Sequence, residues 1–329
     1  SNKIFKQAKL LSHALPPHIS EFKIKFLPTK KNRIKPLAPA VSNALIVAEI
    51  EGLKQQNKIY VQSSVYEVFL ATWNDIPNTI KEIGRLRELT FRLVGEGTME
   101  PYDLDGYDKI YRHLICWDNQ DKQIVGAYRL GLGKEIYSLY GIRGFYVPTL
   151  FKVKGPAKKL FAEGIEMGRA FIVPEYQQKP LPLFLLWKGI VKVWNAHAEH
   201  NYLVGCVSIS NSYSKFSRAL LMRYILDNHY NHEMSSHIVP RNPAQEEVDN
   251  SAVIELCNEI SQDVKKLDNL ISDIEPNGLK VPVLLKKYIR QNAQIAAFNI
   301  DYSFNQTLDG LMFIDMNDMP SDMLKNLLD

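Results

Sequence analysis

No run of apolar residues in this 329-residue chain approaches the roughly 18 to 20 that a membrane-spanning helix needs, so nothing in it is expected to cross a bilayer. Cysteine is scarce. Cys116, Cys206 and Cys257 are odd in number, widely spaced and form no Cys-x-x-Cys pair, which argues against a disulfide framework and for a reduced, cytoplasmic setting. Cys116 and Cys206 lie in apolar, strand-like stretches, where cysteine acts as a small hydrophobe. An excess of one charge is lacking too: a net +4 is too mild for nucleic acid, and the basic residues do not alternate with aromatics as a single-strand groove requires. Ser1-Asn2-Lys3 opens the chain without the apolar core of a secretion signal, so none is expected. Gly-x-Ser-x-Gly, Walker and His-Glu-x-x-His patterns are absent, which removes serine-hydrolase, P-loop and zinc-protease chemistry.

What is present is an ordinary core-forming composition, 46% hydrophobic and 23% charged, long enough for one large domain. Residues 1–63 read as an N-terminal extension, because Pro16, Pro17, Pro28, Pro36 and Pro39 punctuate them. The same stretch is basic, with Lys23, Lys25, Lys30, Lys31, Arg33 and Lys35, and reads as a solvated linker or as a contact for acidic protein or the inner face of a membrane. One helix is expected within it, Val41 to Gln56.

From residue 64 to 329 the pattern predicts one domain. Val65 to Leu70 reads as a strand, Pro77 to Leu93 as a helix, then Tyr111 to Trp117, Ile124 to Leu130 and Ile165 to Val173 as strands. Leu183 to Ala198 reads as a helix, Tyr202 to Ile209 as a strand, Tyr213 to Asn228 as a helix. A polar helical insertion covers about 231–270, followed by a helix at Val281 to Arg290 and strands at Ile295 to Phe298 and Leu311 to Asp315. That order gives a mixed α/β fold whose central sheet is mostly antiparallel and flanked by helices.

Four segments then follow in order: Arg87-Glu88-Leu89-Thr90-Phe91; the acidic cluster Asp103-Leu104-Asp105-Gly106-Tyr107-Asp108; Val125-Gly126-Ala127-Tyr128-Arg129-Leu130; and Glu166-Met167-Gly168-Arg169. Val173-Pro174-Glu175-Tyr176-Gln177, Gly205 to Asn211, Pro282 to Tyr288 and Asp301-Tyr302-Ser303-Phe304 extend the series. Together they resemble the hemolysin-like branch of the GNAT superfamily, and ornithine-lipid and glycine-lipid N-acyltransferases; acyl-homoserine-lactone synthases are more distantly similar.

The resemblance implies a GNAT fold and transfer of a long, 3-hydroxylated acyl chain from acyl carrier protein, or CoA, to the amine of a small amino acid such as glycine or ornithine. It implies no permanently bound cofactor or metal. Two other readings stand beside it: a catalytically weak scaffold that binds carrier protein, lipid or membrane, and a signal synthase of the homoserine-lactone type.

An amine arrives protonated, so a base must take its proton before it attacks a thioester. Glu166 is the first candidate and His113 the second, with an ion pair and a core histidine as the plain alternatives. Arg129 and Arg169 complete the expected catalytic set. Arg87, Phe91, Asp105, Asp108, Val173, Tyr176, Gln177, Ser208 and Asn211 are the expected substrate-binding residues, all taken from the motifs of the resemblance. Strand alternation would aim Glu166 and Arg169 at opposite faces unless a bulge intervenes.

Asp103, Asp105 and Asp108 lack the glycine and closing glutamate of a calcium loop. His113 to Asp118 fits the His-x4-Asp pattern of glycerolipid O-acyltransferases, but its order relative to Glu96-Gly97-Thr98 is reversed, which argues against that route. Where superfamily members place a glycine turn for the CoA pyrophosphate, this chain has Gln177-Gln178-Lys179-Pro180-Leu181-Pro182. Its two prolines delete amide donors, which favours a carrier-protein donor.

Overall fold

The computed structural model describes residues 34–329, so the basic stretch from Lys23 to Arg33 lies outside the described residues and only its last member, Lys35, is within them. The longer helices are α1 (Asn43–Gln55), α2 (Thr79–Leu93), α3 (Gly133–Tyr140), α4 (Pro180–Ala196), α5 (Lys215–Asn228), α6 (Ser251–Ile260), α7 (Val264–Ile274), α8 (Val283–Ile289) and α9 (Ser321–Leu328). The strands are β1 (Ile59–Gln62), β2 (Tyr66–Ala71), β3 (Arg112–Asp118), β4 (Gln123–Leu132), β5 (Phe151–Val153), β6 (Gly164–Ile172), β7 (Tyr202–Ile209), β8 (Ile238–Pro240), β9 (Gln294–Asp301) and β10 (Thr307–Asp315). Eight of them form one sheet in the order β1-β2-β3-β4-β6-β7-β10-β9, while β5 and β8 pair separately. Every neighbouring pair in the large sheet is antiparallel except β6 and β7. This is the mixed, mostly antiparallel α/β architecture expected, with its one parallel pair, β6 and β7, inside the sheet.

Strands β2, β3 and β4 are buried along nearly their whole length because helices cover both faces. Gly189 of α4 lies where a Cβ would meet Val68 and Leu114 side chains at 2.9 and 3.1 Å, so α4 presses close against one face. On the other, Arg87 of α2 bonds Asp108, whose carbonyl accepts a hydrogen bond from His113 of β3. Within residues 1–63, α1 and β1 belong to this fold: Ile46, Ile50, Leu53 and Val61 are buried in the main core, and β1 pairs with β2 as the sheet edge. Residues 231–270 are likewise tied in, with Val253, Cys257, Ile260, Leu267 and Ile271 buried in that core. Among the described residues no helix is long and apolar enough to cross a membrane.

The parallel pairing of β6 with β7 stops at Met167 opposite Gly205, although the strands run on to Ile172 and Ile209. Beyond that point they part. A Cβ on Gly205 would stand 2.4 Å from the Met167 carbonyl oxygen, so glycine is what lets the strands meet closely just before they separate. A register shift in the β4–β6 ladder falls between Ala127 and Arg129, and Arg169 has φ 52°, in the left-handed region. The bulge therefore sits on Arg169 and frees it from the alternation that would have turned it away from Glu166.

Candidate active site

Pairing carries one face across the sheet, because residues opposite each other on neighbouring strands point the same way. Glu166 pairs with Gly131 and Val204, and Ser208 with Asp309. Alternation then sets Arg129, Glu166, Cys206, Ser208, Asp309 and Asp301 on the face covered by α2. Tyr128, Met167 and Val207 point to the face covered by α4.

The gap between β6 and β7 joins the two faces. A cavity of about 1490 Å³ runs through it, lined by Glu166, Gly168 to Ile172 and Cys206 to Ser208 at the gap. On the α2 face its walls include Phe91, Glu96, Arg129, Tyr146, Asp301 and Asp309; on the α4 face they include Tyr128, Lys179, Pro180, Trp187, Lys287 and Tyr288.

Glu166 is 2% exposed, with Oε2 accepting from the Tyr111 hydroxyl at 3.0 Å and Oε1 from the Val147 amide at 3.1 Å. The Tyr146 amide donates in turn to the Tyr111 oxygen at 3.0 Å, which leaves that hydroxyl proton directed at the carboxylate. Burial pushes the Glu166 carboxyl up to about 7, against these hydrogen bonds and the nearby Arg129 charge. A carboxylate so placed exchanges protons near neutrality.

Arg129 is 1% exposed and ringed by aromatics, its guanidinium carbon 5.1 to 5.7 Å from the Tyr107, Tyr111 and Tyr146 ring centres. Its Nη1 contacts Asp105 at 2.6 Å and Asp108 at 3.4 Å, while its buried Nε has no hydrogen-bond partner among the described residues. Arg169 forms ion pairs with Asp103 at 3.1 Å and Asp105 at 3.5 Å and lies over the Tyr146 and Phe304 rings. Arg87 grips both Asp108 oxygens, at 2.9 and 3.1 Å, and the Asp103 carbonyl. The acidic cluster is thus the partner of three guanidinium groups, and Asp105 and Asp108 do not line the cavity. Burial alone would raise the Asp108 carboxyl, but Arg87 and Arg129 outweigh it and hold it well below the usual carboxylate range.

His113 lies outside the cavity wall, 1% exposed, its Nε2 2.8 Å from the Asp108 carbonyl. Because a carbonyl only accepts, Nε2 carries the proton; burial lowers the ring to about 4, so it is neutral at pH 7. Arg87 is likewise sealed off. Val173 uses its amide in the sheet, Tyr176 bonds Asp118, and Asn211 accepts from Arg218; none of the three lines the cavity. Phe91, Gln177 and Ser208 do line it, with Ser208 donating to Asp309 at 2.7 Å. Cys206 also lines it, and burial holds its thiol well above the usual range, which keeps it protonated.

Residue patterning did not single out Tyr111, Tyr146 or Asp309, and it gave Glu96 and Asp301 no place in the site. Asp301 and Asp309 belong to the last two strands and reach the site only through sheet order. Burial pushes both Glu96 and Asp309 up to about 7. Asp309 ionises at lower pH in the unfolded chain, so native stability falls as pH rises from about 4 to about 7 on its account. Asp309→Asn, which keeps an acceptor for Ser208, should therefore raise the melting temperature by several degrees at pH 8 and by much less at pH 5. Equal shifts at the two pH values in thermal melts would refute the buried acid.

Residues 86–187 match the acetyltransferase (GNAT) domain family. A glycine N(alpha)-acyltransferase from Phocaeicola vulgatus is 27% identical over 300 residues, 87% of this chain and 90% of that protein. Another from Bacteroides thetaiotaomicron is 28% identical over 299 residues, 86% of each. A solved CoA-dependent acyl-homoserine lactone synthase is 17% identical with a TM-score of 0.29, over 46% of this chain and 75% of that one, a likeness too slight to argue from.

Proposed function

We propose that this chain, an acyltransferase with a GNAT domain at residues 86–187, moves a long acyl group from a phosphopantetheine thioester to the amine of glycine or a similarly small amino acid. The observation that carries this reading is the passage between the splayed strands β6 and β7, which connects a donor face to an acceptor face, with Glu166 at the junction. The donor arm enters along α4, and its thioester carbonyl reaches through the gap. The acceptor waits on the α2 face. Its ammonium suits the carboxylates Glu96, Asp301 and Asp309, and its carboxylate suits the spare Nε of Arg129.

Glu166 takes the amine proton, directly or through one water, and the nitrogen attacks the carbonyl carbon. The C–N bond forms, the C–S bond breaks, and the second proton shed by the nitrogen passes to the departing thiolate. Cys206 takes no covalent part, since its thiol stays protonated. The same full-length relatives named for acting on glycine support glycine over ornithine as acceptor.

Acyl carrier protein as donor fits Pro180 and Pro182, which leave Leu181 and Leu183 as the amides near the start of α4. Steady-state rates with one acyl chain on both carriers should favour the carrier protein; equal or better turnover with CoA contradicts that assignment. Expression in a host devoid of aminolipids, followed by lipid mass spectrometry, should yield N-acylated glycine, with 3-hydroxylated chains. An unchanged lipid profile with folded protein and acyl carrier protein present would instead favour a binding scaffold.

A further inference from the structure

The donor end of the cavity holds a cation that nothing above has used. Lys287, from α8, places its ammonium 5.6 Å from the Trp187 ring centre and 6.0 Å from that of Phe184. Phe184 and Trp187 belong to the first two turns of α4, so this ammonium hangs over the helix end where phosphate-binding folds present their amides. Among the described residues Lys287 has no carboxylate partner, whereas its neighbour Lys286 is paired with Asp268 at 2.8 Å. Lys179 and Arg290 stand on the same rim, and Asp322 is the one carboxylate there among the described lining residues. Burial lowers the Lys287 ammonium to about 8, the mark of a charge that no protein anion compensates.

A second observation points the same way. Trp187 and Gln291 line the passage, and Trp187 Nε1 and Gln291 Oε1 are buried beside it with no hydrogen-bond partner among the described residues. One unpaired donor and one unpaired acceptor just behind a channel wall suit the amides of a pantetheine arm, reached by small side-chain rotations.

We infer that Lys287 binds the 4′-phosphate of the donor's phosphopantetheine arm, replacing by side-chain charge the helix-terminal amides that Pro180 and Pro182 remove. The inference rests on the α4 face being the donor face. It applies alike to a carrier-protein arm and to CoA, since both bear this phosphate.

The test is direct binding, read without turnover. Titration calorimetry on the full chain should show 4′-phosphopantetheine binding roughly 10-fold more tightly than pantetheine, which lacks only the phosphate. That preference should vanish in Lys287→Gln and persist in Lys287→Arg. Equal affinities in the wild type, or a preference intact in folded Lys287→Gln, would overturn the site. In kinetics Lys287→Gln should raise the donor KM several-fold and leave the acceptor KM unchanged. Parallel assays with acyl carrier protein and CoA thioesters show which carrier meets Lys287. A wild type that turns over yet ignores the phosphate removes the site and leaves acyl transfer standing; a wild type that prefers the phosphate but makes no product does the reverse.

Discussion

Glu166→Gln is expected to lower acyl-transfer turnover by roughly 10²- to 10⁴-fold at pH 7, the usual contribution of a positioned general base. The amide is nearly isosteric and keeps one oxygen for the Val147 amide or the Tyr111 hydroxyl, so the fold and the donor KM should hold. Only basicity is removed. The wild-type rate should climb with pH through about 7 as Glu166 loses its proton, and the variant should lose that limb and recover partly at higher pH, where the free amine needs no base. His113 supplies a control. Its ring is held neutral with its proton on the Asp108 carbonyl, outside the cavity, so His113→Gln should cost stability before chemistry. Near-wild-type turnover in Glu166→Gln beside an inactive but folded His113→Gln would reverse the assignment.

Arg87→Met is expected to destabilise the protein by roughly 3–5 kcal/mol, because it leaves the buried Asp108 carboxylate with the Asp105 amide and, of its cations, only the longer contact to Arg129. At the few degrees per kcal/mol typical of a domain this large, that is a loss on the order of 10 °C in melting temperature. Adding Asp108→Leu should recover much of it, since the uncompensated charge is gone. A loss under about 1 kcal/mol in chemical denaturation of Arg87→Met, or no rescue in the double variant, would mean that the three arginines and three aspartates are not a coupled network.

These residues also show how far the chain could be read before it was folded. Helix α2 is legible from the Asn74, Asp75 and Pro77 that open it, and the order of strands β2 to β4 from their β-branched and aromatic runs. Glu166 and Arg169 stood out as a motif, but only the bulge at Arg169, a backbone feature with φ 52°, resolves how both serve one site. Strand β1 was missed because Ile59 to Gln62 is four residues long and paired on one side only. Asp309 and Asp301 join the site through the placement of β10 beside β7 and of β9 beside β10, and no local pattern encodes the long-range β10–β7 pairing. Tyr176 was chosen from a motif, yet its hydroxyl is spent on Asp118, Asp121 and Gln123 at the far end of β3 and β4. Motifs mark what a family keeps, whether for folding or for chemistry, and packing tells the two apart.

The central claim is that the nitrogen of a small amino acid becomes acylated across the gap between β6 and β7. Its most direct test is to incubate the purified full chain with a long-chain acyl carrier protein thioester and ¹⁵N-glycine, and to follow products by mass spectrometry. The account predicts an N-acylglycine that carries the ¹⁵N label, formed together with one equivalent of free carrier thiol and slowed roughly 10²- to 10⁴-fold in Glu166→Gln at pH 7. Thiol release without a labelled amide, or a label-free acyl product from folded enzyme, would contradict it.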